Sequence, residues 1–243
     1  KIQICEGESV TLTASGGATY TWQGLTGTGN TQTVTPTTTT TYTVTAVGAN
    51  GCVSQNPATI TIEVSQPITV SNASLTKCYQ PGNITYDLTS AQPQMTTVAG
   101  VTFAYYLVQA DALAGNANTI ATPTAYQSAA NQTIYVLVKN GGCSYVVTLQ
   151  LIRTAATDLV VAAPQTITCT TTQVTLNASA SVVPTGSTIL WTTSGTGNIV
   201  SGANTLTPIV NQGGTYTLTV TNVTQPQNLT CTYTISVNVV KDT

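Results

Sequence analysis

Histidine is absent from this chain of 243 residues, and charge nearly so: five Lys and Arg stand beside seven Asp and Glu. Without an imidazole there is no Ser-His or Cys-His dyad to activate a nucleophile. Paired carboxylates for acid–base work would have to come from Glu6, Glu8, Glu63, Asp87, Asp111, Asp158 and Asp242. Only Glu6 and Glu8 are near neighbours, at a turn between strands, so the chain reads as no enzyme. A calcium ion at a domain joint wants several carboxylates among its oxygens; the first joint offers Glu63 alone and the second Asp158 alone. No metal and no cofactor are expected. The net charge of −2 gives no electrostatic footprint for nucleic acid or an anionic membrane surface. No apolar run approaches the roughly 18 residues a bilayer span requires. The sequence starts at Lys1 rather than Met, which leads us to expect a piece of a longer protein.

What the chain has in place of charge is threonine, about a fifth of all residues and far above ordinary usage. The stretch TVTPTTTTTYTVTA (33–46) is the extreme case. Hydrophobic residues still make up 41%, enough for packed cores. The two classes alternate. Val10, Leu12 and Ala14 face one way and Thr11 and Thr13 the other; Tyr42, Val44 and Ala46 oppose Thr41, Thr43 and Thr45. Val174, Leu176 and Ala178, then Tyr216, Leu218 and Val220, repeat the pattern. Period two is the mark of antiparallel strands with one buried and one wet face. Threonine suits this role: it is β-branched, and its hydroxyl keeps the outer face wettable without charge.

The pattern recurs along the chain. CEGESVTLTAS (5–15) aligns with CTTTQVTLNAS (169–179), YTWQG (20–24) with ILWTT (189–193), and TGTGN (26–30) with SGTGN (194–198). The middle stretch keeps the frame more loosely, in VTFAYYLV (101–108) and TIYVLVKNGGC (133–143). We expect an all-β protein of three tandem immunoglobulin-like (PKD-like) β-sandwich domains, at 1–66, 67–152 and 153–243. Three sandwiches in line would make a rod on the order of 100 Å. Asn50-Gly51 and Asn140-Gly141 are hairpin-turn signals. The two GTGN stretches read as turns between strands rather than phosphate loops, which need a following helix. QADALAG (109–115) is the one candidate for a helical turn or two. Trp22 and Trp191 are the expected core tryptophans, with Tyr42 and Tyr216 opening a later strand. In the middle repeat, Phe103, Tyr135 and their aromatic neighbours replace them.

The stretches ICEGESVTLTASGGATYTW, TVTPTTTTTYTVTAVGANGC and VTFAYYLVQADALAG resemble tandem PKD-like and immunoglobulin-like repeats of Bacteroidota cell-surface proteins, the gliding-motility adhesins of the SprB type among them. The resemblance covers nearly the whole chain. It implies export to the extracellular bacterial cell surface, by type IX secretion in that group, and a place in a long adhesive filament. It carries over no catalytic residue. It leaves three readings: a structural stalk segment, a module that itself binds glycans or a solid substratum, and an accessory region of a large secreted enzyme.

Six cysteines without a C-x-x-C pair point to disulfides and an oxidising compartment. Two pairings fit. Within repeats, Cys5–Cys52, Cys78–Cys143 and Cys169–Cys231 would each close a loop of about 50–65 residues, worth about 4 kcal/mol apiece. This is the favoured expectation, because each repeat carries its own two. However, in a regular sandwich the first Cys, before strand B, and the second, after strand F, lie at opposite ends. Cys5–Cys143 and Cys78–Cys231 would then lock the joints and leave Cys52 and Cys169 over. A ligand face would need exposed aromatics, for which Tyr79, Tyr106 and Tyr126 are the candidates. The expected partners are therefore neighbouring repeats of the same chain, glycans or solid surfaces through those tyrosines, and other copies through edge strands that carry little protective charge.

Overall fold

The structure is a computed structural model that describes residues 1–164, 166–224 and 228–242. Its described residues form six β-sheets, and each third of the chain supplies a pair of them.

The first pair contains β1 (Ile2–Cys5), β2 (Val10–Thr13), β3 (Thr19–Trp22), β4 (Thr31–Val34), β5 (Thr40–Val47) and β6 (Ala58–Ser65). One sheet has the order β1-β6-β5-β3 and the other is β2-β4. β1 runs parallel to β6, whereas β3 and β5 pair antiparallel. Alternation does what the sequence predicts. Ile4, Leu12, Tyr20, Trp22, Val34 and Ile62 point inward as a core, with Val44 and Ala46 packed against it. The threonines between them pair hydroxyl to hydroxyl across the outer faces, Thr41 with Thr61 at 2.9 Å and Thr11 with Thr33 at 3.2 Å. Such cross-strand pairs stabilise a sheet surface that has almost no charge to use.

The middle pair contains β7 (Ala73–Lys77), β8 (Ile84–Tyr86), β9 (Thr102–Tyr106), β10 (Tyr126–Ser128), β11 (Gln132–Asn140) and β12 (Cys143–Arg153). The sheets are β7-β12-β11-β9 and β8-β10. Two short helices interrupt it, α1 (Gln92–Met95) and α2 (Gln109–Ala114). The second is the QADALAG turn, stopped by Gly115 at φ 59° in the left-handed region. α2 lays Ala112 against Tyr106 and Leu137, with Tyr135 and Val146 at the margin, and so covers a second face of the main sheet.

The third pair contains β13 (Val174–Thr175), β14 (Thr188–Ser194), β15 (Ile199–Ser201), β16 (Ile209–Val210), β17 (Gly214–Thr224) and β18 (Leu229–Val239). Its sheets are β13-β16-β15 and β14-β17-β18. Trp191, Leu176, Tyr216 and Leu218 fill the core. Both GTGN stretches are turns between strands. The Tyr216 hydroxyl donates to the Gln212 carbonyl four residues upstream, at 2.6 Å. That bond is the tyrosine corner of immunoglobulin-like sandwiches. Trp22 and Trp191 are both buried, their indole N–H groups donating to the carbonyls of Gly29 and Thr205 at 3.0 Å. The protein is all-β, built of three immunoglobulin-like sandwiches. Of the other expected core aromatics, Tyr42 and Tyr135 are only partly buried at the core margins, and Phe103 is also half-buried.

By compactness the chain divides into two units. One comprises Lys1–Ser74, Asp87–Tyr126 and Thr133–Gln150; the other comprises Leu75–Tyr86, Gln127–Gln132 and Leu151–Thr243. The middle stretch contributes to both.

Candidate functional site

The disulfides are Cys5–Cys143 and Cys78–Cys231. Each lies wholly inside one of the two units and ties one sandwich to the next in sequence. The favoured expectation of pairing within repeats is therefore corrected, and the reason is geometric. Cys5 pairs in the ladder with Ser65, at the far end of β6, while Cys52 precedes that strand's first residue. Eight residues of strand span about 26 Å, whereas a disulfide needs Cα atoms within about 7 Å. The two cysteines of one sandwich cannot meet. Cys52 and Cys169, also expected in disulfides, are free and exposed.

At the first joint the β11–β12 hairpin, Asn140-Gly141-Gly142-Cys143, is pressed onto the ends of β1 and β6. The Gly142 N–H donates to Ser65 Oγ at 2.9 Å, and Asn140 Nδ2 donates to the Gln66 carbonyl at 3.0 Å. A side chain at Gly142 would overlap the backbone of Ile4, so this close approach requires glycine. The Tyr145 hydroxyl accepts from the N–H of Ile68 at 3.0 Å and fixes the linker. Cys143 is buried at 1% exposure.

The second joint is made by side chains. Arg153 lies over the Tyr79 ring at 5.0 Å and donates to the carbonyls of Ala129 and Gln80. The Thr154 hydroxyl accepts from the Tyr79 N–H at 2.8 Å, and the Tyr233 hydroxyl donates to the Tyr79 carbonyl at 3.2 Å. Beside them Tyr86 donates to the Ile152 carbonyl at 3.1 Å. Burial raises the Tyr86 phenol above its ordinary pKa, partly offset by the positive charge of Arg153.

Of the three tyrosines expected to offer a ligand face, Tyr106 is a correction. It is 2% exposed and donates to the Asn116 carbonyl at 3.2 Å. Successive residues on a strand face opposite ways, so one of Tyr105 and Tyr106 should be outside; α2 covers that side and buries both. Tyr79 is half-buried in the second joint, and Tyr126 is half-buried at the start of β10. Exposed apolar side chains cluster in sequence instead at Leu107, Val108 and Leu113, around α2. Among the described residues no group of three or more His, Cys, Asp or Glu side chains could hold a metal ion, and no helix is long and apolar enough to cross a membrane.

Fold and site together define a class: tandem immunoglobulin-like domains joined by inter-domain disulfides. Residues 72–157 match the family model of FIDD, the Flavobacterium inter-domain disulphide bond domain. That span holds the joint cysteines Cys78 and Cys143. No curated protein matches the chain at a significant level. Solved structures similar to it include Drosophila OTK extracellular domains 3–5, at 12% identity and TM-score 0.39 over 99% of this chain and 94% of that one. Another is the I-band fragment I67–I69 of titin, at 14% identity and TM-score 0.38 over 100% and 95%. The N-terminal four Ig domains of Dscam1 isoform 9.44 follow at 11% identity and TM-score 0.29, over 99% and 71%. The fold assignment rests on sheet order, the buried tryptophans and the tyrosine corner.

Proposed function

We propose that this chain is a structural stalk segment of a secreted, filamentous bacterial surface adhesin of the kind used in gliding and attachment, with domains at 1–66, 67–152 and 153–243. One observation carries the reading: both disulfides tie successive sandwiches together rather than bracing each one separately. A staple inside a domain stabilises that domain; a staple across a joint transmits tension past it. Disulfides are the covalent chemistry of an oxidising, extracellular setting, and a surface wetted by threonine hydroxyls suits a spacer that should hold on to nothing along its length. The test is retention of the purified, oxidised chain on a glycan panel and on glass or polystyrene. The stalk reading expects none.

A second reading, a module that itself adheres, draws on Leu107, Val108 and Leu113, which are 51%, 52% and 68% exposed. Retention on one surface that is lost in the triple Ser variant of these residues would replace the first reading with this one.

A further inference from the structure

The two disulfides obey one rule: the first cysteine of a sandwich bonds the second cysteine of the sandwich that follows it. Cys5 and Cys78 hold the first position, and Cys143 and Cys231 the second. Of the two free thiols, Cys169 holds the first position in the third sandwich and Cys52 the second position in the first. They are the complementary halves of one further bond of the same kind.

The third sandwich also has the seat for it. In the occupied first joint the hairpin rests where β1 runs parallel to β6, at Cys5 beside Ser65. The third sandwich rebuilds that parallel contact, with Ile167 bridging Lys241 and the Asp242 N–H donating to the Ile167 carbonyl at 2.8 Å. Among the described residues no hairpin covers it. A cleft of about 660 Å³ opens instead, lined by Ile167, Thr168, Cys169, Gln173, Lys241 and Asp242. The counterpart is also built. Asn50-Gly51-Cys52 turns between β5 and β6 with Gly51 at φ 79°, as Asn140-Gly141 turns before Cys143 with Gly141 at φ 56°. It is one glycine shorter, and the Cys52 N–H is held by Asn50 Oδ1 at 3.1 Å, which leaves the thiol at the exposed tip.

We propose that the Cys169 cleft receives the Cys52 hairpin of a second copy of this chain, and that a Cys169–Cys52 disulfide joins the copies in the same order as the sandwiches within one. The bond forms by exchange with a disulfide oxidant such as oxidised glutathione. The Cys169 thiolate displaces one glutathione thiolate, the Cys52 thiolate then attacks the Cys169 sulfur, and the second glutathione thiolate leaves. Two thiols lose two electrons and two protons, and one oxidant is reduced to two thiols. The inference holds whether the segment spaces or adheres.

The experiment incubates the folded chain, with both internal disulfides formed, in a glutathione redox buffer at high protein concentration. Non-reducing gels and peptide mass spectrometry read the links. Docking expects the Cys52–Cys169 link in about tenfold excess over either homotypic link, the ratio that ~1.4 kcal/mol of preference produces, with the excess lost in denaturant. It also expects C52S and C169S each to remain monomeric alone and to give a single dimer when mixed. Homotypic dimers from either variant alone, mixed links no commoner than random collision supplies, or no link at all would each overturn the proposal.

Discussion

The two joints reach the same covalent result by different means. At the first, main chain lies against main chain, Gly142 on Ile4, flanked by bonds from the Gly142 N–H to Ser65, from the Asn140 amide to Gln66 and from the Ile68 N–H to the Tyr145 hydroxyl. At the second, side chains meet backbone: Arg153, at the end of β12, packs over Tyr79 within the middle sandwich, and Tyr233 of the third sandwich reaches the Tyr79 carbonyl. The rule that carries over between joints is thus the position of the cysteines, one at or just past the end of the first strand and one at the last hairpin. Their surroundings are free to differ, so each joint should fail to its own kind of substitution.

The largest effect should come from the staples themselves. Their sequence separations of 138 and 153 residues give nearly the same loop entropy, about 5 kcal/mol each in the chain-entropy model. The double variants C5S/C143S and C78S/C231S should therefore lower stability by similar amounts in urea unfolding. A markedly unequal loss would show that the surrounding contacts, not loop closure, set what a staple is worth.

Gly142→Val comes next. It forces a side chain into the Ile4 backbone and should cost about 1–3 kcal/mol, as overpacking does. Because the clash lies at the first joint, thiol trapping during refolding should show Cys5–Cys143 forming late and Cys78–Cys231 on its usual schedule. Arg153→Met is the mirror experiment. It should cost about 1.5–3 kcal/mol, as loss of hydrogen bonds from a charged group does, with the trapping order reversed. Arg153→Lys should not restore it, since a point charge cannot span two carbonyls and stack on a ring.

How far the sequence reaches is clearest at these sites. The alternation of Val10-Leu12 and Tyr216-Leu218-Val220 placed strands correctly because side-chain direction in a strand is a local property with period two. Trp22 and Trp191 were readable as core because they stand where an immunoglobulin-like repeat keeps its central tryptophan. The pairing of cysteines is not local. Counting two per repeat suggested closure within each, and only the opposite-ends argument pointed at Cys5–Cys143 and Cys78–Cys231. That argument was available in the order of the strands, and it described the geometry better than the count did. Tyr106 was misplaced because its neighbour α2 folds over a face that period two alone marks as wet.

The smallest expected effect is one of pH, confined to the first sandwich. Lys1 Nζ donates to Glu63 at 2.6 Å and Gln3 donates to the same carboxylate at 3.0 Å. The bond from Lys1, then that from Gln3, holds the Glu63 carboxyl below its ordinary pKa. A lowered carboxylate contributes stability above its unfolded pKa and loses it as pH falls through the folded value. The Lys1 ammonium is raised by the same partner, so its share persists until pH climbs through that raised value. Both groups are exposed, so the change in melting temperature should be slight. Glu63→Gln should flatten its acid side and leave both joints untouched.

The loops closed by the two disulfides overlap, since Cys78 lies inside the first loop and Cys143 inside the second. A single backbone cut anywhere between Cys5 and Cys231 therefore leaves the two fragments covalently attached. Nicked by a protease at one exposed turn, the chain would still migrate as one piece until a reductant was added. Interleaving thus makes two bridges protect almost the entire length against severance, which the same number of cysteines paired within their own sandwiches would not do.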